Sequence, residues 1–146
     1  MALQQISVFL ENRAGQLAEI TGVLAENGID LRALHISETS DYGVLRLIAT
    51  DSAGAEKVLK ENGFLVSVTP VVAVSVPDRP GGLGELVGML AAEDINIAYA
   101  YSYWPLHTGK VIVVIKVDDE DLEKAKKVFE GQTEILLLGR DELLNS

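Results

Sequence analysis

Cysteine is absent from the 146 residues, which removes disulfides, thiolate nucleophiles, iron–sulfur clusters and cysteine zinc sites together. Nothing in the composition marks an oxidising compartment, so a cytoplasmic location is expected. Histidine is scarce as well. His35 and His107 stand in different halves of the chain, neither beside a second ligand at metal spacing, so each is read as structural and no metal site is expected. Basic residues are outnumbered, 12 Lys and Arg against 22 Asp and Glu, for a net charge of −10. Such a surface repels a phosphate backbone, whose binding depends on Lys and Arg displacing counterions, and nucleic acid is not an expected partner. Charged residues interrupt every apolar run, and Met-Ala-Leu-Gln-Gln-Ile lacks the basic and apolar regions of a secretion signal. Neither a membrane span nor an exported protein is expected.

What is present is a repeat. Residues 6–36 align without a gap on residues 72–102 at a constant offset of 66. Nine pairs are identical: Val8/Val74, Arg13/Arg79, Gly15/Gly81, Leu17/Leu83, Glu19/Glu85, Gly22/Gly88, Leu24/Leu90, Ala25/Ala91 and Ile29/Ile95. Average composition would give on the order of two by chance. The chain is a tandem duplication, with a first domain over 1–69 and a second over 70–146.

Each copy carries the same order of elements. Ile6, Val8 and Leu10 alternate with Ser7, Phe9 and Glu11, the period of a strand. After the Asn12–Gly15 turn, Leu17, Ile20, Val23 and Leu24 recur at helical spacing until Asn27-Gly28, a left-handed stop signal. Runs 29–38 and 44–50, joined by Ser40-Asp41-Tyr42-Gly43, suggest a hairpin. A second helix through Ala55, Val58 and Leu59 closes at Asn62-Gly63, and Phe64 to Val68 is a short strand. The second copy repeats this as strand 72–76, helix 82–92, strands near 95–104 and 110–117, a helix near 120–130 and strand 133–138. The fold class is therefore α+β, two ferredoxin-like βαββαβ units with antiparallel sheets in strand order 4-1-3-2 and helices on one face. Only Thr69-Pro70-Val71 separates the copies, too little for a flexible linker, so side-by-side packing through strand edges is expected.

The stretch best preserved between the copies is the first strand-to-helix turn: Asn12, Arg13, Ala14, Gly15, Gln16 and Leu17 against Asp78, Arg79, Pro80, Gly81, Gly82 and Leu83. A helix opening presents unpaired backbone N–H groups and the positive end of the helix dipole, and glycine lets a ligand approach that backbone closely. A carboxylate fits there, while the carboxamide of Asn12 or the carboxylate of Asp78 could receive an ammonium group. One turn would then satisfy both ends of a free amino acid. The competing reading is purely structural: glycines for a permissive backbone, Asn12 and Asp78 as helix caps, Leu17 and Leu83 in the core.

These residues resemble the ACT domain, in which an apolar strand leads into [Asn/Asp]-Arg-[Ala/Pro]-Gly-x-Leu, a helix, and Gly-Ile-[Asp/Asn] or its equivalent. Here those are Asn12 to Leu17 with Gly28-Ile29-Asp30, and Asp78 to Leu83 with Asp94-Ile95-Asn96. Ala14 replaces the commoner proline, and Asp94 replaces the helix-ending glycine. The resemblance covers essentially the whole chain and is to stand-alone tandem ACT proteins. It implies a regulatory module, without catalysis of its own, that binds a free amino acid where the turn faces a neighbouring domain. It also implies pairing through sheets, hence a homodimer, and a regulated enzyme or transcription partner. No cofactor is implied.

After residue 97 the copies diverge. Tyr99, Tyr101 and Tyr103 share a strand face, against Ala33, His35 and Ser37 in the first copy, and are expected to line an interface or a pocket wall, or simply to cover a sheet face. Trp104, just before Pro105, reads as a hairpin-end packing residue. Gly81-Gly82-Leu83-Gly84 lacks the ending of a phosphate loop, and the acids 118–121 ahead of Lys124, Lys126 and Lys127 read as helix stabilisation. No catalytic constellation can be assigned. Besides the amino-acid sensor, the open alternatives are a ligand-independent dimerisation scaffold and, last, a small ferredoxin-like enzyme.

Overall fold

The computed structural model describes residues 3–11, 13–38 and 41–144. It divides into two compact units, one over Gln4–Thr69 and one made of the chain from Pro70 onward together with Leu3. In the first unit the order is β1 (Leu3–Glu11), α1 (Gln16–Glu26), β2 (Leu31–Glu38), β3 (Tyr42–Ala49), α2 (Ser52–Glu61) and the start of β4 (Leu65–Pro77). The second unit continues through β4 to α3 (Gly82–Ala92), β5 (Ile97–Tyr103), β6 (Lys110–Val117), α4 (Leu122–Phe129), β7 (Leu136–Leu138) and α5 (Arg140–Leu144). Strand neighbours run β2-β3-β1-β4 in the first and β7-β4-β6-β5 in the second, the ferredoxin-like arrangement in both. Registers include Val8 opposite Leu45 and, correspondingly, Val74 opposite Val113.

Each sheet packs its two helices on one face. α1 buries Ile20 and Leu24 against Ile6, Val8, Leu45 and Leu47; α3 buries Leu86 and Leu90 against Val72, Val74, Val113 and Ile115. The helical rows that face inward are 16, 20, 24 and 82, 86, 90. Leu17 and Leu83 lie one residue past those rows, turned about 100° around the helix. They are therefore 36% and 55% exposed instead of in the core. No helix among the described residues is long and apolar enough to cross a membrane.

Several boundaries differ from the sequence-based expectation. The runs 64–68 and 72–76 form one unbroken strand, because Pro70 requires an extended backbone and needs no ladder N–H at a position where the pairing partner changes. The last strand shortens to β7, with residues 133–135 in bends, and α5 follows it, started by the Glu142 carboxylate that accepts from the Gly139 N–H at 3.3 Å. At the end of α1, Gly28 takes φ +69 and the Ile29 N–H donates back to the Leu24 carbonyl at 2.9 Å. α3 ends the same way with Asp94 at φ 57 and Ile95 donating to Leu90 at 3.0 Å.

Candidate functional site

The two strand-to-helix turns share a skeleton. Each helix begins at a glycine in the left-handed region, Gly15 at φ 90 and Gly81 at φ 89, and neither helix has a side-chain cap. Asp78 is thus not a cap of α3; Asn12, the other candidate cap, lies outside the described residues. Asp78 is exposed, and its backbone N–H donates to the Gly109 carbonyl at 2.9 Å, which ties the turn to the end of the β5–β6 loop. The repeated arginine has a repeated partner. Arg13 reaches Glu19 and Arg79 reaches Glu85, each at 3.3 Å, so the guanidinium clips the turn to the first turn of its own helix.

Beyond that skeleton the turns part company. In the first, Gln16 is buried and its Oε1 accepts the N–H of Glu11. In the second, the corresponding residues are Gly82 and Pro77. There is no side chain to donate to and no N–H to satisfy. A Cβ on Gly82 would lie 2.5 Å from the Pro77 carbonyl oxygen, so the close approach of helix to strand end demands glycine there. The second acid on each arginine differs: Arg13 takes Glu11 at 3.2 Å, within its own turn, whereas Arg79 takes the distant Glu134 at 2.9 Å. The hydrogen bond from Arg79, then its charge, hold Glu134 below the ordinary carboxylate range. Arg79 is thus shared between two acids. The first unit has its own shifted acid outside the turn, Asp30, lowered first by the Leu31 N–H and then by Arg32.

Beside the second turn lies a cavity of about 260 Å³. Its floor is apolar, made by Val76, Val111 and Val113 from β4 and β6, with Leu83 from the first turn of α3. Pro77, Asp78 and Arg79 form the polar end, and Ala100, Tyr101, Ser102 and Trp104 form the third side. The first unit has a depression along α1, lined by Glu19, Gly22 and Val23, and its counterpart in the second unit is a separate depression lined by Glu85, Gly88 and Met89.

The structure thus brings Asp78, Arg79, Leu83 and Tyr101 together at the cavity, with Pro80, Gly81 and Gly82 in the adjoining turn. Arg13, Ala14, Gly15, Gln16 and Leu17 belong to the first turn, in the other unit. Tyr99 and Tyr103 are not among its lining residues. A bulge between Ile97 and Tyr99 shifts the phase of β5, so that Tyr99, Tyr101 and Tyr103 pair with Lys116, Val114 and Ile112 on the sheet face away from the helices. Ala100 and Ser102 take the helix side. Trp104, 59% exposed, borders the cavity where a hairpin-end packing role was expected. Elsewhere, His107 sits in the β5–β6 loop at φ 61, and the acids Asp118, Glu120 and Asp121 gather in the turn before α4. Lys116 Nζ bonds Asp119 there at 2.8 Å.

A family model described as an ACT domain pair matches residues 1–137. Among solved structures, protein BT0572 from Bacteroides thetaiotaomicron is 40% identical, with a TM-score of 0.90 over 100% of this chain and 98% of that one. The regulatory subunit of aspartate kinase from Thermus thermophilus, in a ligand-free form, has a TM-score of 0.62 at 20% identity over 86% of this chain and 89% of that one. A structure of aspartokinase alpha and beta subunits gives 0.61 at 21% identity, over 86% and 88%. At those lower identities the likeness is one of fold. No curated protein matches the sequence.

Proposed function

This chain belongs to the ACT domain pair family, and on that premise we propose that it is a regulatory sensor of a free amino acid with an apolar side chain, with no catalysis of its own. The observation that carries the proposal is the cavity at the second glycine turn, where an uncapped helix start and an apolar hollow meet. The Gly82 N–H already donates to the Arg79 carbonyl at 3.0 Å, so the ligand carboxylate takes the amides that follow it in the first turn of α3 and the positive end of the dipole. The ammonium group takes the Asp78 carboxylate, and the side chain fills the space between Val76, Val113, Leu83 and Trp104. Arg79, already bonded to Glu85 and Glu134, shapes the turn and supplies positive field without being the carboxylate's direct partner. A cationic or acidic side chain would have to give up its hydration against valines, which costs several kcal/mol or more.

Signalling requires that the ligand bind one state of the protein better than another, so occupancy of the second domain (70–146) alters how the chain meets a partner, whether an enzyme, a transcription regulator or a second copy. The sole tryptophan of the chain stands at the cavity rim and supplies the readout. L-leucine, L-isoleucine, L-valine, L-methionine and L-phenylalanine are titrated singly while Trp104 emission and the melting temperature are followed. At least one is expected to change the emission and to stabilise the fold by about 2.7 kcal/mol at a hundred times its dissociation constant. Silence from all five in both measurements sinks the sensor reading and leaves a scaffold.

A further inference from the structure

Strand registers allow the two units to be compared position by position at the place where the second has its cavity. In the second unit Ser102 pairs with Val113 and Ala100 with Ile115; in the first, Ile36 pairs with Leu45 and Leu34 with Leu47. Leu34 and Ile36 therefore stand where the cavity is walled by Ala100 and Ser102. On the neighbouring strand Leu10 opposite Gly43 replaces Val76 opposite Val111. That exchange keeps the space filled, since a Cβ on Gly43 would already lie 3.3 Å from the Leu10 Cδ1. At the helix start, the buried Gln16 stands in place of Gly82. The β5–β6 loop, which brings Trp104 to the rim, is two residues longer than the β2–β3 loop, because the offset between copies is 66 along β5 (Ile36 to Ser102) and 68 along β6 (Leu45 to Val113).

We propose that each chain takes one amino-acid ligand, not two, and that Ala100 and Ser102 are the specificity-determining residues that keep the second site open while Leu34 and Ile36 close the first. The proposal rests on the sensor reading above and adds the stoichiometry and the gate. Small side chains at these two positions leave room on the helix side of the sheet for the ligand's apolar group. Larger ones reach across the same space from the same strand. On this proposal duplication has produced one receptor and one copy in which Leu34 and Ile36, 50% and 40% exposed, take the ligand's place.

Equilibrium dialysis of the full chain against an equimolar mixture of the five apolar amino acids, each quantified on the protein side, is the test. The expected total is one equivalent per chain. The variant Ala100→Leu/Ser102→Ile, which gives the second unit the first unit's residues, is expected to weaken binding on the order of a hundredfold, as filling a small apolar pocket does. A total near two equivalents overturns the inference and leaves the sensor reading standing. Undiminished binding by the folded double variant also overturns it. If that variant does not fold, Ser102→Ile alone carries the same prediction, since residue 102 is exposed. No retention of any of the five by the wild-type chain ends both readings at once.

Discussion

At the first turn a glutamine folds back to take the N–H of the strand it follows; at the second, that residue is glycine and the strand ends in a proline with no N–H to offer. Neither half of this exchange makes sense without the other. Glycine at the first turn would strand the Glu11 amide, and glutamine at the second would find no donor and no room. What two copies of one sequence teach here is that a preserved motif can keep its skeleton, left-handed glycine and Arg–Glu clip, while its chemistry is reassigned by the residues between.

The comparison can be broken at its tightest point first. Gly82→Gln pushes a Cβ to 2.5 Å from the Pro77 carbonyl, and the full chain is expected to lose about 2–3 kcal/mol in urea unfolding. Adding Pro77→Glu restores the donor, and the double variant should recover about 1 kcal/mol through coupling between the two sites. Additive losses would show that the exchange is not a pair. A smaller effect is expected in the first copy. Gln16→Ala leaves the Glu11 N–H without its acceptor and should cost about 1–2 kcal/mol. Hydrogen exchange of that one amide should quicken beyond what the global loss explains, and an unchanged rate would remove Gln16 from the account. The smallest effect concerns the helix ends. Asp94 holds the left-handed position that Gly28 holds in the first copy, so Asp94→Gly should stabilise the chain by about 1 kcal/mol, read as a higher urea midpoint at unchanged slope.

Much of this was legible in the residues. The offset of 66, the period of each strand and helix, and the stop at Asn27-Gly28 lead to the βαββαβ order and the strand arrangement without further help. The turn was legible too, down to the glycines that begin the helices. The cavity was not. Its existence turns on which face of β5 carries Ala100 and Ser102, and a one-residue bulge near Tyr99 decides that; a shift of one position moves every following side chain to the other face of the sheet. Bulk points to Tyr99, Tyr101 and Tyr103; of these Tyr101 lines the space, beside its small neighbours Ala100 and Ser102. Leu17 and Leu83 were misplaced for a related reason. Being apolar and identical in both copies, they look like core, yet the inward row starts one residue earlier, at Gln16 and Gly82. Trp104 could have been found from the extra length of its loop, which marks the second copy as altered at that corner.

Leu3, buried at the head of β1, shares a depression with Val71, Val72 and Leu137. A fragment cut at residue 70 would miss a piece of its own packing, the Leu3 side chain at the head of β1.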